Sequence, residues 1–438
     1  MMVNYKSIRL IVKYCLAIAF LASCEEDPFE HNPSAPIKIE SFLPAQGSGG
    51  TEILINGSNF SIDTSQMHVT INNVPLKIVG TNGNQVMAVV PKSVGSGPLV
   101  VTIGTNTVTS TDIFTYNYTR TVSTLAGSGK AGFANGKGAD AMFNFSGELW
   151  YRSSGIVVDD KLNVFVADPG NHCIRKIDSL GNVTTLAGDP GSSGYADGKG
   201  AAAKFSIPYS LTIDTQGNLY SVDPGNGDIR QITPDGTCTT WAMANQEPWS
   251  IAFDKVSGFV YYSSCSPSGN IYPVTAKGVT GKPIVSGLTY PAGLGFDPAG
   301  NLYVSMNGEQ VVRKFTAGTW ENNIIAGKLG VSGYANGAGN VARFSSPWGL
   351  AVDSNSNIYI AGNGTWDGGS YNSDQSIRLI QPDNWLVSTL AGSASAGYAD
   401  AVGEAAAFSA PTGVAVDKNG TVYVLDKINN RVRKIVSE

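Results

Sequence analysis

The sequence predicts an all-β protein in two segments: a small two-sheet sandwich over residues 37–118, then a closed ring of six four-stranded sheets over residues 119–438. Three observations carry this. The 438 residues include 52 Gly and 18 Tyr with only 14% charged residues, a composition that suits short strands and tight turns and does not suit a disordered or coiled-coil chain. Apolar residues alternate at period two between Gly and Asn turn signals in the first segment. Across the second segment a single strand text recurs six times, and repetition at a fixed period marks a repeat architecture. The formal net charge of -5 leaves no basic footprint, so nucleic acid is not an expected partner.

Residues 1–23 read as an address. Lys6, Arg9 and Lys13 precede an apolar run from Tyr14 to Ala22, which is too short to span a bilayer and has the shape of a secretory signal. The run ends in Leu21-Ala22-Ser23-Cys24, which resembles the bacterial lipobox; the resemblance implies acylation of Cys24 and a lipidated linker over 24–36. Glu25-Glu26-Asp27 resembles the acidic surface-export tag of Bacteroidota lipoproteins. The expected location is the outer membrane, facing outward, with the lipid as the sole membrane contact.

Cys173, Cys238 and Cys265 remain. An odd number with no CxxC pair supports neither a disulfide framework nor a zinc site, so no metal is expected.

The first segment begins Ile39-Glu40-Ser41-Phe42-Leu43-Pro44 and continues Gly49-Gly50-Thr51-Glu52-Ile53-Leu54-Ile55-Asn56-Gly57-Ser58-Asn59-Phe60. Val69-Thr70-Ile71, Val89-Val90-Pro91, Val100-Val101-Thr102-Ile103 and Phe114-Thr115-Tyr116 complete the alternating strands. This text resembles the IPT/TIG family of immunoglobulin-like domains, which in bacterial surface proteins implies a spacer.

In the second segment, Gly155-Ile-Val-Val-Asp159 recurs with Asp at 214, 254, 297, 353 and 417. In four copies an Arg follows the Asp by sixteen residues: Arg175, Arg230, Arg313 and Arg433. The fifth copy places Arg378 twenty-five residues on, and the third has Tyr272 at a spacing of eighteen. The closing strand of each copy, as in Val183-Thr-Thr-Leu-Ala-Gly188, is missing from the last one. The same text stands before the first copy as Val122-Ser-Thr-Leu-Ala-Gly127. The N-terminal strand must therefore close the ring, which removes exposed sheet edges. The repeat resembles the NHL family, implying a six-bladed β-propeller.

A twelve-residue motif occupies four of the six junctions, from Gly132 to Phe143, Gly194 to Phe205, Gly333 to Phe344 and Gly397 to Phe408. It reads as a structural strap, with Asn135, Asp197, Asn336 and Asp400 as the positions at which calcium or sugar could bind. No specific motif calls for calcium or another cofactor.

Catalytic residues are not found. Triads and zinc sites need His, and the chain has three: His31, His68 and His172. Gly127-Ser128-Gly129-Lys130 lacks the rest of a phosphate loop. The repeated Asp residues occupy identical places in every copy, which points to turn hydrogen bonds.

What breaks the symmetry is aromatic. Tyr209, Trp249 and Trp348 each follow Pro at the head of a first strand and should stand at one height near the axis. Trp150, Tyr151 and Arg152, and the insertion bearing Trp366 and Tyr371, should join the same face. Flat rings among Asn, Asp and Gly suit a glycan, with apolar C–H faces ringed by hydroxyls. The expected function is glycan binding at the cell surface without catalysis. A protein-interaction scaffold on the same face is the alternative, and a propeller lyase or hydrolase a third reading. Trp241, Trp320 and Trp385 are expected to fill blade junctions.

Overall fold

The computed structural model describes residues 31–145, 153–264, 266–364 and 373–438. These form two compact units that divide between Tyr118 and Thr119. Among the described residues no helix is long and apolar enough to cross a membrane.

The first unit is a sandwich. One sheet orders Lys38–Leu43, Glu52–Ser58, Gln85–Val89 and Lys77–Thr81; the other orders Gln46–Gly47, Asn106–Tyr116, Gly97–Ile103, Met67–Ile71 and Val74–Pro75. Period-two alternation becomes alternate burial: in Gly97–Ile103 every second residue is buried. Ile53, Ile55, Phe60, Val69, Val86, Val101 and Phe114 meet between the sheets. Tyr116 sends its hydroxyl to accept from the backbone N–H groups of Gly49 and Ser93, at 3.0 and 2.8 Å.

Among the described residues the second unit holds six antiparallel sheets, the blades of a propeller. Their first strands are Ile156–Val158, Ser210–Ile213, Pro248–Phe253, Pro291–Phe296, Pro347–Val352 and Pro411–Val416, which number blades 1 to 6. Each neighbours the next and the sixth neighbours the first, so they line the axis. Closure is as the repeat text requires: Arg120–Ala126 pairs antiparallel with Arg431–Ser437, setting Val122 opposite Ile435. The N-terminal strand is thus the outermost strand of blade 6.

The blades are less uniform than six sets of four strands. Blades 1 and 2 gain a short fifth strand, Gly136–Lys137 and Gly198–Lys199, from the strap that precedes each. In blade 3 the outer position is split between Val279–Thr280 and Val285–Leu288. The repeated Asp residues close the turns between first and second strands. Asp214 accepts from the backbone of Gln216 and Asn218 and from the Asn218 amide, and Asp297 and Asp353 do the same in their blades.

The straps are tied down by buried arginines. In blade 5, Arg378 donates to the carbonyls of Ala335 and Arg343 and to Asn336 Oδ1, and pairs with Asp374 at 3.2 Å with both side chains wholly buried. Its guanidinium lies between the rings of Tyr334 and Phe344, 4.9 and 5.3 Å from their centroids. Arg175, Arg230 and Arg433 hold their own straps between two rings in the same way, and Arg175 and Arg433 also pair with the buried Asp168 and Asp426. Desolvation is offset by hydrogen bonds, a carboxylate and two π faces. Blades 3 and 4 have no strap. Blade 3 has no such Arg, and in blade 4 Arg313 is partly exposed and pairs with Glu309.

Candidate functional site

Burial of the strap arginines decides the role of the recurring strap polar residues. Asn135, Asp197, Asn336 and Asp400 each accept a hydrogen bond from the Arg of the blade they cover, at 2.9, 2.8, 2.7 and 2.7 Å. The opposing Asp residues are interior groups. Burial pushes Asp374 and Asp426 up to about 6, against the pull of Arg378 and Arg433. Among the described residues no group of three His, Cys, Asp or Glu side chains is placed to hold a metal ion. His172 sits in a left-handed turn with Nδ1 against the carbonyl of Ser206. Cys173 and Cys238 are buried thiols held protonated by desolvation.

The axis itself is a channel of about 200 Å³ lined by the six first strands. Its walls are Ile, Leu, Val, Phe, Ala and Gly with a few hydroxyls, and Lys255 is the one charged residue among those described. Toward the heads of the strands the backbones of neighbouring blades approach closely. A Cβ added to Gly349 would collide with the carbonyl oxygen of Thr412 in the next blade, and one on Gly293 with that of Trp348. Only glycine allows that approach.

The residues just ahead of this close approach are Ser154, Tyr209, Trp249, Ala292, Trp348 and Thr412, one from each blade. The three aromatics meet. Tyr209 lies 5.7 Å from Trp249, and Trp249 lies 5.9 Å from Trp348, both tilted. Trp249 and Trp348 come from blades 3 and 5, and blade 4 between them carries Ala292, whose methyl leaves the space the two indoles close. Backbone contacts fix the ring, with the Tyr209 carbonyl accepting from Ser153 Oγ, Ser154 N and Gly155 N. The rings differ in exposure: Tyr209 and Trp348 retain 1% and 4%, whereas Trp249 is half-buried. Of the three, Trp249 is the one that keeps partial exposure. Trp150, Tyr151, Arg152, Trp366, Tyr371 and the lipidation residue Cys24 lie outside the described residues.

The other three described indoles pack on blade side chains. Trp241 meets Tyr220 edge-on at 5.4 Å, Trp320 lies 6.0 Å from Tyr261, and Trp385 lies 6.3 Å from Tyr303.

Beside Trp249 lies a polar group that the repeat text does not single out. Glu247, exposed, accepts from the Trp249 indole N–H at 3.2 Å. Gln246, also exposed, accepts through Oε1 from Ser264 Oγ at 2.7 Å and from Asn270 Nδ2 at 2.9 Å. Asn270 donates further to the Tyr272 hydroxyl. Ser264 stands where blades 1, 2 and 6 place a buried Asp, and Tyr272 is the residue that replaces the strap Arg. In blade 3 the charged anchor has given way to neutral amides and hydroxyls that reach the surface. The signal in the sequence is Asn245-Gln246-Glu247 directly ahead of Pro248-Trp249, in the one copy without an Arg.

Known proteins share this architecture. Residues 36–121 match the IPT/TIG domain and residues 408–435 the NHL repeat. The chain is 26% identical over 323 residues to Protein SUPPRESSOR OF QUENCHING 1, chloroplastic, of Arabidopsis thaliana, covering 71% of this chain and 27% of that protein. A crystal structure of a protein of unknown function from Bacteroides thetaiotaomicron VPI-5482 aligns over 94% of this chain and 100% of its own, with TM-score 0.65 and 21% identity. An auxiliary nutrient binding protein from the same organism aligns over 93% of this chain and 99% of its own, with TM-score 0.56 and 21% identity. These likenesses establish fold. The chain carries an IPT/TIG domain followed by an NHL-repeat β-propeller.

Proposed function

We propose that this chain is a lipid-anchored surface protein that binds a glycan on the propeller face bearing Trp249, with the IPT/TIG domain as a spacer and Cys24 as the anchor. The observation that carries the reading is a half-buried indole backed by two buried aromatics and edged by exposed Glu247 and Gln246. A rigid flat ring with amides at its rim matches a pyranose, whose C–H face stacks while its hydroxyls take hydrogen bonds. Trp150, Tyr151, Arg152, Trp366 and Tyr371 belong to the same proposed face. The nutrient binding named for the Bacteroides thetaiotaomicron protein of like fold is consistent with this role.

The test is affinity electrophoresis of the full chain through gels containing soluble plant and microbial polysaccharides. Retardation of the wild type, reduced by Trp249→Ala with unchanged melting temperature, supports the reading. Loss of one stacked ring corresponds to about 1 kcal/mol, or about fivefold in Kd. Retardation that is identical in the folded Trp249→Ala chain would move the site elsewhere; no retardation by any polysaccharide favours a protein partner.

A further inference from the structure

We infer that blade 3 reads a pair of neighbouring hydroxyl groups on a neutral sugar through Gln246 and Asn270. This rests on the glycan reading above and adds residues to it. The two amides differ in which of their atoms are already occupied. Gln246 Oε1 receives two hydrogen bonds, from Ser264 Oγ and Asn270 Nδ2. That fixes the amide plane and leaves the Nε2 donors of an exposed side chain without a partner among the described residues. Asn270 is the mirror case. Its Nδ2 donates to Gln246 and to the Tyr272 hydroxyl at 3.2 Å, which leaves Oδ1 of this partly exposed residue without a partner among the described residues. The base of the pair is rigid: Ser264 is buried and accepts from the Asn270 backbone N–H at 2.9 Å, and Tyr272 stacks on Tyr262 at 5.1 Å.

A fixed donor next to a fixed acceptor is complementary to two vicinal hydroxyls, since each hydroxyl both donates and accepts. Gln246 lies three residues along the chain from Trp249, so one ring can stack while its edge is read. Holding both amides in place beforehand lowers the ordering cost of binding. Glu247, at the rim of the indole, adds negative charge and sets the site against carboxylated sugars.

The deciding variant is Gln246→Glu. It keeps an oxygen to accept from Ser264 and Asn270 and replaces the outward donor with a second carboxylate oxygen. Full chain, wild type and variant, would be titrated calorimetrically with the neutral polysaccharide retarding it most, and with polygalacturonate. The expected result is at least tenfold weaker binding of the neutral polymer by Gln246→Glu, a similar loss in Asn270→Ala, unchanged melting temperatures, and no binding of polygalacturonate. Wild-type affinity in a folded Gln246→Glu chain, with binding still sensitive to Trp249→Ala, overturns the hydroxyl-reading pair and leaves the aromatic site standing. Preference for polygalacturonate overturns the neutral class. Absence of binding to every polymer overturns the glycan reading itself.

Discussion

Asp228 is a weak point in the propeller's energetics, because its side chain is entirely buried and poorly partnered. Among the described residues neither of its carboxylate oxygens has a hydrogen-bond partner, and Arg230 Nε stands 3.5 Å from Oδ2 without making one. The Arg230 guanidinium is already committed to Lys204, Ala196 and Asp197. Burial therefore dominates and, despite the attraction of Arg230, pushes the Asp228 carboxyl from 3.8 up to about 7. Because the folded-state value lies above the unfolded one, the folded chain binds the extra proton. Stability falls as pH rises from about 4 and the loss is complete above about 7. Roughly three pH units correspond to a penalty on the order of 4 kcal/mol at pH 8. Asp228→Asn removes that penalty but leaves an amide with unmade hydrogen bonds, which costs about 1–3 kcal/mol at any pH. The variant should thus be more stable than wild type by on the order of 1–3 kcal/mol at pH 8 and no more stable at pH 4.5. Urea denaturation followed by tryptophan fluorescence at pH 4.5, 6, 7 and 8 measures this difference. A difference that does not change with pH would show that Asp228 ionises at little cost in the folded chain, contrary to its burial.

Two further outcomes are expected. Arg378→Met strands Asp374 as an uncompensated buried carboxylate and unties the strap of blade 5, so it should lower stability by about 3–5 kcal/mol. The same change at Arg313, partly exposed and unstrapped, should cost less; equal losses in urea melts would remove the anchor role. Cys24→Ala should shift the chain from the membrane to the soluble fraction of cells, and unchanged fractionation would remove the lipid anchor.

The architecture was legible because a repeat states the same contact six times. One unmatched closing strand at Val122 and one missing after Arg433 sufficed to infer the ring. The straps were visible as text, but their reason was not. Arg175 and Asn135 are forty residues apart, and only folding shows that a guanidinium fills the space between Phe133 and Phe143. Equivalent repeat positions also predict equal height, which is why Tyr209, Trp249 and Trp348 could be grouped from sequence. Their unequal exposure could not be read, since it depends on Ala292 and on the converging glycines of other blades.

Gln246 and Asn270 are not legible in the sequence for a related reason, while Tyr272 is. A substitution inside the repeat frame, Arg to Tyr, is apparent by alignment to the sister copies. The consequence of that substitution is not, because blade 3 also lacks the strap and the buried Asp that accompany the Arg in blades 1, 2 and 6. Three anchoring features vanish together in blade 3, and the ground they vacate is occupied by Ser264, Asn270, Tyr272 and Gln246, joined through side-chain hydrogen bonds. A charged anchor fixed by internal partners has no capacity left for a ligand; an amide network with one occupied and one free end has. Where one copy of a symmetric fold replaces the charged anchor with neutral polar side chains, those side chains are the first place to look for binding.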